Sequence, residues 1–97
     1  MHKTKKEIVF GDGNTFPAGS EFALDNDENG TLLKRIDSYE SDVKEAGAED
    51  RMAQELFMMK RLKLAIDIGE LVPVIFEGET VTRMIQSEDI ENYEYKN

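Results

Sequence analysis

The chain has 97 residues, 39% of them hydrophobic, and no cysteine, so it is one domain's worth of sequence without disulfides, thiolate metal ligands or a cysteine nucleophile. Its 21 acids against 12 bases give a formal net charge of −9. That sign argues against direct nucleic-acid binding and against an anionic membrane surface, and it favours a basic protein surface as partner.

The opening decapeptide MHKTKKEIVF is basic but lacks the apolar run of a signal peptide. Nothing in the chain approaches the roughly 18–20 apolar residues of a membrane span. The expectation is a single cytoplasmic domain over residues 1–97, with residues 1–5 and 94–97 as mobile ends. Residues 7–10, EIVF, read as a short strand. Gly11, Asp12, Gly13 and Asn14 form a turn, and Thr15 and Phe16 begin a return strand that Pro17 and Gly19 interrupt. Residues 21–24 resume extended structure, with Phe22 and Leu24 on one side by period two. The stretch DNDENG at 25–30 reads as a turn, with Asn29-Gly30 suited to a type I′ hairpin, and residues 31–39 as the following strand. Ser41 could cap an early helical turn, and Gly47 marks a break before the main helix.

That helix is expected over about 48–68. Met52, Leu56, Met59 and Ile66 share one face, Leu62 widens it, and Ala53, Phe57, Leu64 and Ile68 form an adjoining stripe. So wide an apolar surface calls for cover from two sides, by a sheet and by a second element or a second chain. Gly69 suits the residue just past the helix. Residues 71–76, LVPVIF, make a strong strand, and Pro73 suggests an edge position. Residues 77–79 turn the chain, residues 80–85 return, and Ser87 could cap a single turn that docks Ile90 and Tyr93. The fold class is α+β: an antiparallel sheet of four to five short strands packed on one long central helix.

Chemistry-bearing patterns are weak. Asp25, Asp27 and Asn29 occupy alternate positions as in a calcium loop, but the twelfth loop position is Ile36 and Pro17 and Gly19 speak against a preceding helix. A polar turn explains the same letters. Gly11 and Gly13 lack the rest of a phosphate loop. His2 is the sole histidine, Glu77 and Glu79 flank a turn as ordinary surface acids, and no cofactor is expected. Phe57 and Met58 could face another chain, since methionine adapts to partner surfaces, although core packing is the plainer reading.

The acids fall in blocks. Asp37, Glu40, Asp42, Glu45, Glu49 and Asp50 form one, and Glu88, Asp89, Glu91 and Glu94 another. Aligned on one face, they could stand in for the phosphates of a duplex and occupy a basic groove. A short, cysteine-free, strongly acidic α+β chain resembles the small host-takeover proteins of lytic bacteriophages, some of which mimic DNA. The resemblance implies a non-enzymatic inhibitor, in the host cytoplasm, that covers the DNA-binding surface of a basic protein such as histone-like HU. The alternative is a structural or assembly protein, a virion component or homodimer, built on the apolar helix.

Overall fold

The computed structural model describes residues 1–46 and 50–93. The elements are β1 (His2–Lys3), β2 (Ile8–Val9), β3 (Thr15–Phe16), β4 (Glu21–Leu24), α1 (Glu28–Ala46), α2 (Asp50–Asp67), β5 (Leu71–Phe76) and β6 (Arg83–Gln86), then one 3-10 turn at Ser87–Asp89. β1, β4, β5 and β6 form an antiparallel sheet in that order, and β2 pairs with β3 as a separate hairpin. The fold is α+β, as the sequence suggests, but with two helices rather than one.

Period two sets the core. Phe22 stands opposite Phe76, Leu24 opposite Val74, and Val72 opposite Ile85, so these side chains share one face of the sheet. Phe22, Val72, Val74, Phe76 and Ile85 are buried there together with Ile90. The β2–β3 hairpin covers them. Phe16 stacks on Phe76 at a centroid separation of 4.0 Å, and Phe10 meets Phe76 edge-on at 6.0 Å. Among the described residues no helix side chain takes part in this cluster, which corrects the expectation of a sheet laid across the helix.

The sheet also curls. The Lys5 amide donates to the Asp89 carbonyl and the Glu91 amide to the Lys3 carbonyl, both at 2.8 Å, around a bridge between Thr4 and Ile90. On its other side Thr4 donates to the Ser20 carbonyl at 3.1 Å. The start of the chain, read as a mobile end, is therefore hydrogen-bonded on both sides, and Thr4 is only 1% exposed. The strands approach a small, partly open barrel. A single turn before Ile90, with Ile90 buried and Tyr93 packed on the core, matches the sequence reading, but Ser87 lies inside that turn and Gln86 holds the cap position without a side-chain bond.

Pro73 is not on an edge, because β5 lies between β4 and β6. A central strand tolerates it here for a specific reason. Bonded rungs toward β6 fall on alternate residues in register with Glu70, whose carbonyl accepts from Ser87, so Pro73 owes β6 no donor. Toward β4 it faces Asp25, the residue just past that strand, and accepts the Asp25 amide at 2.9 Å.

Residues 31–39 are helical, not extended. Leu32 and Ile36 are buried and Val43 half-buried, a spacing of four and seven that makes one helix face. The Asp27 carbonyl accepts the Thr31 amide as the first helical bond, so the DNDENG stretch ends in a helix start with Glu28 in the first turn, where the macrodipole favours an anion. Ser41 accordingly lies inside α1 and caps nothing. The expected break at Gly47 lies outside the described residues. β6 begins only at Arg83, later than the expected return strand.

α1 and α2 pack against each other as an antiparallel pair that leaves the barrel after β4 and returns before β5. The molecule is long and thin, 47 × 32 × 19 Å. α2 ends as its sequence indicates. Gly69 takes φ 81°, its amide bonds the Ile66 carbonyl at 3.1 Å, and the Glu70 amide reaches the Ala65 carbonyl at 2.9 Å. This is a Schellman end, which a glycine in the left-handed region makes possible.

Candidate protein-docking surface

α2 has two apolar faces, and only one is covered. Met52, Leu56, Met59, Leu62 and Ile66 are half-buried, on the side that α1 occupies. The adjoining stripe faces solvent. Phe57 is 60% exposed, Leu64 59% and Ile68 51%, and Met58 beside them is exposed as well. Phe57, Leu64 and Ile68 are separated by seven and four residues, which sets them along one side of the helix over roughly 16 Å. The Arg61 guanidinium lies over the Phe57 ring at 5.8 Å, on the same side.

Ionic contacts fix this hairpin. Lys60 bridges Glu40 across the two helices at 3.0 Å, and Arg51 bridges Glu55 within α2 at 3.6 Å. The Tyr39 hydroxyl donates to the Glu55 carboxylate, which pushes the Tyr39 pKa up. At the barrel end, Lys63 donates to the Asn29 side-chain carbonyl at 3.1 Å and bridges Asp67 at 3.0 Å, while the Asn29 amide donates to Asp67 at 2.9 Å. The Asn29 bond first, then Lys63, holds the Asp67 carboxyl below the usual aspartate range. The pairing of Asn29 with Lys63 is not legible in the sequence, because their separation of 34 residues closes only when both helices exist.

The sequence-derived acids do not form one row. Asp37, Asp42 and Glu45 are exposed on α1, but Lys34, Arg35 and Lys44 are exposed on the same helix and interleave with them. Glu40 is engaged by Lys60. Glu49 and Glu94, and the side chain of Asp50, lie outside the described residues. Asp89 is buried and bridged by Lys6 at 3.3 Å, whereas Glu88 and Glu91 are exposed. Ser87 bonds the Glu70 carbonyl, so this second block sits at the barrel, near the C-terminal end of α2, and α1 carries the first block away from it toward the far end of the hairpin.

The candidate calcium residues diverge. Asp25 accepts the Asp27 amide and the Thr82 hydroxyl, at 3.1 and 2.6 Å, and Asn29 is held by Lys63 and Asp67. Among the described residues no group of three or more His, Cys, Asp or Glu side chains could hold a metal ion, and no helix is long and apolar enough to cross a membrane. A cleft of about 190 Å3 lies where the hairpin joins the barrel, lined by residues including Leu24, Asp25, Asn29, Ile66 and Tyr93. Of its polar side chains, Asp25 and Asn29 are engaged as described above.

Comparison with known proteins brings no relative: no family model matches the chain, and neither a curated protein nor a solved structure matches it.

Proposed function

We propose that this protein is a non-enzymatic protein-binding module: a small acidic barrel that presents a helical hairpin, with the outer face of α2 as its docking surface. The observation that carries the reading is the solvent-facing run of Phe57, Leu64 and Ile68 on a helix whose opposite face is already packed. Large apolar side chains aligned in this way mark interaction sites more than isolated exposed ones do. In this reading contact area on α2 supplies affinity, and the net charge of −9 acts on approach and on the choice of partner.

DNA mimicry, with a basic DNA-binding protein as target and HU-like proteins as the concrete case, is the second reading. Its support is the net charge. The interleaved bases of α1 weigh against a phosphate-like row. A pull-down from bacterial lysate at low and high salt separates the two. Docking through α2 predicts capture that survives high salt and is lost with Leu64→Asp. Mimicry predicts capture that vanishes with salt, ignores Leu64→Asp and is lost with the double variant Asp42→Lys, Glu45→Lys. Capture unaffected by any of these changes would overturn both.

A further inference from the structure

We infer that the outer face of α2 takes a second copy of this chain, the two α2 helices running antiparallel across a two-fold axis beside Leu64. This rests on the docking reading above and adds its occupant. A two-fold contact joins a patch to itself, so the patch must complement itself about its midpoint. α2 does so. Lys60 and Asp67 are seven residues apart and therefore on the same flank of the helix. Both are accessible, with side chains 53% and 45% exposed. In the antiparallel register centred between residues 63 and 64, Lys60 stands opposite the partner's Asp67, and Asp67 opposite the partner's Lys60.

Leu64 lies next to that centre and meets its own counterpart. Ile68 falls beside the aliphatic stem of the partner's Arg61. The cross-contacts also extend bridges that exist already: Glu40 to Lys60 on one side and Asp67 to Lys63 on the other become a single row of alternating sign. A parallel register would set Lys60 beside the partner's Arg61, and the like charges would repel. Each copy carries −9, so long-range repulsion opposes the encounter until salt screens it. Self-association therefore strengthens from low to moderate salt, the opposite of a contact held by charge attraction.

The chain has no cysteine, so single cysteines report the register cleanly. Leu64→Cys places two thiols beside the axis, within reach of a disulfide, whose Cα atoms lie about 4.4–6.8 Å apart. Phe57→Cys places them about 20 Å apart along the helices. Mild oxidation of the full-length variants should cross-link Leu64→Cys as a dimer and leave Phe57→Cys monomeric. Sedimentation of the wild type should exceed the 11.1 kDa monomer mass with rising concentration and moderate salt, and Leu64→Asp should abolish the shift. Cross-linking of Phe57→Cys as fast as Leu64→Cys overturns the register. A wild type that stays monomeric up to about 1 mM overturns the second copy as occupant. In that event, loss of another protein's binding in Leu64→Asp leaves the docking reading standing, and no loss removes both.

Discussion

Arg83 is the residue on which the barrel and its hairpin cover meet. Its side chain is 10% exposed, its Nε donates to Glu79 at 2.7 Å, and its Nη1 donates to Asp12 at 3.2 Å. The guanidinium lies 4.5 Å from the Phe10 centroid and 5.4 Å from that of Phe16. It thus joins β6, the turn after β5 and the β2–β3 hairpin through charged hydrogen bonds and cation–ring contacts. Glu79 first, and Asp12 with it, raise the Arg83 pKa further. Replacing Arg83 with methionine keeps the stem and deletes the charge, leaving two carboxylates and two ring faces without it. The expected cost is about 1–3 kcal/mol, read as a lower urea midpoint, and Arg83→Lys should recover only part because a point charge lacks the planar fork. None of this was legible in the sequence. Arg83 and Asp12 are 71 residues apart, and no periodicity links them.

At the scale of elements, α2 was readable because its signals are local: apolar residues at helical spacing and a glycine just past the end. The same glycine gives a sharp expectation. Gly69→Ala must hold φ near 81° with a Cβ present, at a cost of about 1–2 kcal/mol. That corresponds to a fall in Tm of roughly 4–8 °C per kcal/mol for a domain of this size, measurable by circular dichroism. α1 was misread for an equally local reason. Asn29-Gly30 is a strong turn pair, and it outweighed the spacing of Leu32, Ile36 and Val43, because α1 is polar on every side but one. The helix gains its stability from packing on α2 rather than from propensity, and a single window of sequence does not contain that partner. Pro73 misled in a similar way. A proline's place in a sheet depends on which rung it occupies, and the rung is set by Asp25 and Glu70, far apart in sequence.

For the molecule as a whole, the acids have two roles that composition merges. Some hold the structure: Asp12, Asp67 and Asp89 each accept from or bridge a base. Others, such as Asp37, Asp42, Glu45, Glu88 and Glu91, face water. The Asp12 carboxyl is held below its ordinary range, chiefly by the Asn14 amide, as Asp67 is by Asn29. A carboxyl whose folded pKa lies below its unfolded value adds stability above the unfolded value of about 3.9, and that stability fades as pH falls through the lower folded value. Urea unfolding followed from pH 6 to about pH 2 should therefore show a steeper acid loss in the wild type than in Asp67→Asn, which cannot titrate there. Equal slopes would mean that the Asp67 carboxylate does not hold α1 to α2 through Asn29. Net charge was legible at once, but which acids are engaged and which are free required the fold.

The Asp25 amide and the Pro73 carbonyl lie 2.9 Å apart, one on the strand leading into the helices and the other on the strand leading out. The two helices thus depart from and rejoin the sheet through a doorway a single hydrogen bond wide. Such a doorway separates two kinds of change. Mutation and length variation beyond it alter the reach and face of the projecting arm, while the aromatic interior of the barrel keeps its own packing.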